Sequence, residues 1–121
     1  MMIKKEKLMF IRGMIPIGVT SRKDGRFLSV CDAFLHFAGG TRAEVIGRTW
    51  VETGFLTQDQ YAVFLEELAK KDRVENLEVP VRDKNGTVVL GLFNAAVLTL
   101  EEQKCLWTVM TGTMERREAY G

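Results

Sequence analysis

The chain has 121 residues, 46% of them hydrophobic and 27% charged, with a formal net charge of +1. Such a length supports one core in one domain, and such a composition excludes a disordered or membrane-embedded chain. So small a net charge gives no broad attraction to phosphate backbones or anionic lipid, and nucleic acid is not an expected partner.

Residues 1–13, MMIKKEKLMFIRG, set Lys4, Lys5, Glu6 and Lys7 among Ile3, Leu8, Phe10 and Ile11. This fits a short amphipathic helix or a frayed lead-in, and its apolar patch is too short for a secretory signal. The longest nearly apolar run, Val88 to Leu100, falls short of the roughly 20 residues of a membrane span. A cytoplasmic chain with no membrane contact of its own is expected.

From Met14 to Thr20, Ile15, Ile17 and Val19 recur at period two, which predicts a strand with that face in a core. Lys23, Asp24 and Gly25 supply a turn, and Phe27 to Cys31 forms the second strand of a hairpin. Asp32 then caps a helix over Ala33 to Ala38, which Gly39 and Gly40 stop. Three candidate capping boxes follow at eight-residue spacing, Thr41 with Glu44, Thr49 with Glu52 and Thr57 with Gln60, and predict three more helices. In the last of these, Tyr61, Phe64, Leu65 and Leu68 make an apolar stripe at i, i+3, i+4 and i+7.

Three strands close the chain: Val74 to Arg82, Thr87 to Leu100 and Cys105 to Met114. Asn85-Gly86 predicts a type I′ turn between the first two, and Glu101 to Gln103 a second hairpin loop. Tight turns make these strands antiparallel. Helices gathered in mid-chain then cover one face of the sheet, an α+β layer architecture.

The chain resembles a PAS domain from about Ile15 to Glu118, on three segments: DGRFLSVCDAFLHFAGGTRAEVIGR, VPVRDKNGTVVLG and TGTMERREA. These are similar to the family's second strand with its short helices, its charged hairpin, and its closing strand before a linker. Cys31 stands where the family often has Asn, and Gly112 where its closing motif has Asp. The resemblance implies a five-stranded sheet of order 2-1-5-4-3, with short helices and one longer helix on one face and a pocket between the layers. It implies residues 1–13 as lead-in or dimerisation helix, 14–114 as the PAS domain and 115–121 as the start of a helical linker. The function implied is signal sensing in a two-component system. A small molecule or partner is bound and the signal passes to an output domain, as in a sensor histidine kinase. A homodimer is implied too, and a ligand-free homodimerisation module is the alternative.

No catalytic residue and no metal site are expected, and the sequence names no cofactor. Against LOV-type flavin photochemistry stands the segment Thr49-Trp50-Val51-Glu52, which lacks that class's reactive Cys; against haem stands the absence of His from residues 57–72. His36, four residues after Asp32, is either an imidazole oriented for acid–base work or the edge of a helix that Asp32 caps, and the second is the simpler reading. Candidates to line the pocket are His36, Trp50, Phe55, Tyr61, Phe64, Asn94, Thr108 and Met110. Asn94 stands out because a buried amide costs about 1–3 kcal/mol if unpaired.

Cys31 and Cys105 have neither CxxC spacing nor a histidine pair beside them, and read as buried thiols. In the implied strand order they sit on strands separated by the first. Titration under non-reducing conditions is expected to find two free thiols; finding none would contradict that order.

Overall fold

The computed structural model describes residues 15–114, the side chain of Met114 excepted, so the expected lead-in and linker lie outside the described residues. The elements in chain order are β1 (Ile17–Ser21), β2 (Phe27–Val30), α1 (Asp32–Ala38), α2 (Arg42–Val45), α3 (Gln58–Lys71), β3 (Arg73–Arg82), β4 (Val88–Leu100) and β5 (Gln103–Met114). The strands form one five-stranded sheet of order β2-β1-β5-β4-β3, antiparallel throughout. The α+β architecture and the strand order expected from the sequence are both present.

Local chemistry explains the helices, with two corrections. Thr41 Oγ1 and Glu44 Oε1 accept from each other's backbone N–H, and Thr57 and Gln60 do the same, so α2 and α3 start as predicted. Thr49 and Glu52 make both hydrogen bonds of a box at 3.1 Å, yet they cap only a turn. Gly54, at φ +84, ends that turn before a helix can propagate. The described residues therefore hold three α-helices where the sequence reading expects four. Asp32 is not the cap of α1: Cys31 takes that position without a side-chain cap bond, while Asp32 pairs with Arg42 Nη2 at 3.0 Å.

The two hairpins exchange the turns expected of them. Asn85 keeps a negative φ, and the β3–β4 turn is organised by Asp83 Oδ1, which accepts from Asn85 N–H and Thr87 N–H at 2.9 Å each. The two-residue loop lies instead between β4 and β5, where Leu100 pairs with Gln103. Glu101 and Glu102 there have φ of 50° and 68°, the left-handed pair a type I′ turn demands.

The face that β1 presents to the core is the reverse of the one its apolar period suggests. A Cβ on Gly18 would lie 3.0 Å from the Phe27 ring and 3.3 Å from that of Phe34. The inner face of β1 is thus Gly18 and Thr20, continued by Pro16 just before the strand, and Gly18 leaves no room for a side chain because the Phe27 and Phe34 rings lie on it. Ile15, Ile17 and Val19 point to the other side, outside the main apolar cluster.

A left-handed non-glycine residue costs about 1–2 kcal/mol. Glu102→Gly is therefore expected to raise the unfolding free energy by about 1 kcal/mol, seen as a higher urea midpoint at unchanged slope.

Candidate functional site

The inner face of the sheet is roofed by α1, α3 and the irregular stretch between α2 and α3. That stretch is tied to both edges of the sheet by backbone hydrogen bonds. At the β2 edge, Phe27 N–H donates to Arg48 O at 2.8 Å and Gly47 N–H donates to Phe27 O at 2.9 Å. At the β3 edge, Arg82 N–H donates to Phe55 O at 3.2 Å. The intervening residues form a strap across the sheet, with Trp50 and Phe55 beneath it.

Trp50 is the hub of the layer between strap and sheet. Its ring centroid lies 4.9 Å from Phe27, 5.7 Å from Phe34, 6.3 Å from Phe55 and 6.0 Å from Phe93, all in tilted or edge-on arrangements. Such pairs each add about 0.5–1.5 kcal/mol beyond the area they bury. Phe64 on α3 extends the cluster by an edge contact to Phe93 at 6.2 Å.

These rings do not fill the layer completely. A cavity of about 20 Å³ remains, lined by Trp50, Phe55, Thr108 and Met110 together with Pro16, Phe34, Phe37, Ala38, Val81 and Phe93. Two of the lining residues, Trp50 and Thr108, carry buried polar atoms, Nε1 and Oγ1, without a hydrogen-bond partner. A shallower cleft of about 340 Å³ opens outside it, lined by polar residues including Glu44, Arg48 and Glu52, and shares Ala38 and Phe55 with the cavity.

Of the residues nominated from sequence, Trp50, Phe55, Thr108 and Met110 meet at this cavity, and four others do not. His36 is exposed on α1. Phe64 is buried, one ring removed from the cavity. Tyr61 is half-buried, its hydroxyl 3.0 Å from where a Cβ on Gly25 would stand. Asn94 lies between the core residues Phe93 and Ala95 and so faces the opposite side of the sheet. Its Oδ1 accepts from Asn76 N–H at 3.1 Å and its Nδ2 donates to Thr111 Oγ1 at 3.5 Å, which joins irregularities in β3 and β5. Phe34, Phe37 and Ala38 were missed, although their i, i+3, i+4 spacing on α1 is a legible signal. Pro16, Val81 and Phe93 carried none, because period two cannot tell which face is inner.

Neither cysteine is bonded to another; Cys105 is buried, while Cys31 is only half-buried, its Sγ accepting from Ile17 N–H at 3.3 Å. Among the described residues no helix is long and apolar enough to cross a membrane.

No family model matches this chain, and no curated protein does. Solved structures do. The light-state dimer of the fungal blue-light photoreceptor Vivid matches at a TM-score of 0.63 and 18% identity, over 79% of this chain and 76% of that one. The LOV domain of a blue-light activated histidine kinase from Erythrobacter litoralis matches at 0.64 and 14%, over 84% and 97%. The PAS-B domain of Drosophila melanogaster Cycle with bound ethylene glycol matches at 0.61 and 14%, over 77% and 94%. The fold of this chain is the PAS/LOV fold.

That likeness corrects the expectation on cofactors. LOV-type flavin photochemistry was set aside on the segment Thr49 to Glu52, but LOV domains are among the structures that share this fold, so the exclusion does not stand. The physical reason is that one segment speaks only to one reactive side chain, whereas the layered chamber is a property of the whole sheet and roof.

Burial holds the Tyr61 phenol above its ordinary value of 10.0, with Arg22 acting in the opposite sense. The fold thus favours the neutral phenol. The corresponding stability is complete below pH 10 and fades as pH rises from there through the folded-state value. Urea midpoints measured above pH 10 are expected to fall less steeply for Tyr61→Phe than for the unsubstituted protein.

Proposed function

We propose that this chain is a signal-sensing regulatory PAS module. A small molecule or partner received between strap and sheet changes their packing, and β5 passes the change to an output domain beyond residue 114. The observation that carries this reading is the strap itself: it is tied to both sheet edges by backbone hydrogen bonds and, with the sheet, encloses a cavity two of whose lining residues carry unpartnered buried polar atoms. A guest with different affinities for two packings of the strap shifts the balance between them, which is the requirement for a switch.

In this reading residues 14–114 are the sensing unit, 1–13 a dimerising lead-in and 115–121 the start of a linker, within a cytoplasmic sensor histidine kinase-like protein. The module senses and does not catalyse; in support, the chain's one histidine is exposed on α1. The histidine kinase LOV domain supports the kind of output, and the Vivid dimer supports pairing. Ethylene glycol in the PAS-B structure supports a small neutral guest. Flavin stands among the guests to be tested.

A second reading, a ligand-free homodimerisation module, is favoured by the outer face of the sheet. Leu98, Leu100 and Trp107 are 42%, 45% and 36% exposed on that face, and Ile15 beside β1 is 39% exposed. Grouped apolar exposure of this kind marks interaction surfaces.

Native mass spectrometry with an absorbance spectrum of the purified protein separates these readings. The sensor reading expects a dimer carrying a retained small-molecule mass, with visible absorbance if the guest is flavin. A dimer that retains and takes up nothing favours the second reading. A guest-free monomer would sink both.

A further inference from the structure

The cavity's two orphaned polar atoms define a ligand chemistry, given that the sensor reading places a guest there. Trp50 is 4% and Thr108 3% exposed, and neither Nε1 nor Oγ1 has a partner. A buried polar group left unsatisfied is costly, so these atoms favour an occupant that bonds them. The indole N–H can only donate, and the threonine hydroxyl can donate or accept. A guest oxygen within reach of either atom meets its need: it accepts from Trp50 Nε1–H or pairs with the Thr108 hydroxyl.

The rest of the lining restricts what may be attached to that oxygen. Phe34, Phe37, Phe55, Phe93 and Met110 line the same cavity, and no Asp, Glu, Lys, Arg or His does. A charged guest would lose its hydration with no compensating charge. We infer that the site takes a small neutral molecule with one hydrogen-bonding oxygen, a ketone, ether or alcohol, on a short apolar body.

Size agrees with the oxygen and sets a condition on the body. About 20 Å³ accommodates a single water-sized group, for which about 10–15 Å³ suffices. The apolar body must therefore displace side chains. Met110 is unbranched and adapts to irregular space at small cost. Phe55 and Ala38 line both the cavity and the outer cleft, which makes the cleft the side nearest the cavity.

The test is a titration of the full chain, ¹⁵N-labelled, with its two tryptophan indole signals assigned through Trp107→Phe. Cyclopentanone is the oxygen-bearing probe, cyclopentane its hydrocarbon counterpart and butyrate a charged control. The Trp50 indole signal is expected to move saturably with cyclopentanone while that of Trp107 stays in place. Cyclopentane and butyrate are expected to bind about tenfold more weakly or worse, and Thr108→Val to weaken cyclopentanone about tenfold. Thr108→Ser, which keeps the hydroxyl, is expected to retain most of the affinity, and serves if the valine variant fails to fold.

Equal affinity for ketone and hydrocarbon, or full affinity in Thr108→Val, overturns the inference. So does a Trp50 signal that never responds, the result expected if the two atoms share only a water. A guest retained in native mass spectrometry together with an unresponsive Trp50 indole would remove this ligand chemistry and leave the sensor reading intact.

Discussion

The strap between α2 and α3 is the constraint on which the rest of this molecule depends. Edge strands carry a row of unpaired backbone groups, and β2 and β3 are the two edges here. The strap meets both, through Arg48 O and Gly47 N–H at one end and Phe55 O at the other. In doing so it fixes where Trp50 and Phe55 hang. The position of Trp50 in turn sets the packing of Phe27, Phe34 and Phe93 around it. Backbone hydrogen bonds at the rim and ring contacts in the middle therefore reinforce one another, and the strap is held without a long helix.

The same arrangement explains why a cavity survives in an otherwise close-packed core. Five aromatic rings meeting tilted or edge-on leave gaps that a short aliphatic side chain would close. Thr108 faces one such gap from the sheet and Trp50 from the strap. Each of these residues carries a buried polar side-chain atom without a hydrogen-bond partner. An interior that was only structural would be expected to satisfy or omit these atoms, so their presence directs attention to this layer and away from the solvent-exposed His36.

The opposite face of the sheet has its own organisation. Asn94 on β4 bonds across the irregular pairing of β4 with β3 on one side and with β5 on the other, from outside the core. Around it β4 carries Leu90, Leu92, Ala96 and Leu98 on the outer side, so this strand is apolar on both faces. The described residues thus form a sheet with one face roofed by helices and strap, and an outer face on which Leu98, Leu100 and Trp107 are exposed. Solved structures at 14–18% identity share the PAS/LOV fold, so the fold tolerates wide differences in the particular side chains.

How much of this is legible in the sequence follows from the range over which each interaction acts. Capping boxes at Thr41 and Thr57, the hairpins and the order of elements depend on residues a few positions apart, and the amino-acid sequence by itself determined them. The box at Thr49 formed too, but whether it opened a helix depended on Gly54 and on the pull of the strap toward β3. The inward face of β1 was settled by the rings of Phe27 and Phe34 lying on Gly18, and the burial of Trp50, Phe55, Thr108 and Met110 in one cavity by contacts across the sheet. Only the tertiary structure decided these, because period two specifies two faces without saying which of them another layer will cover.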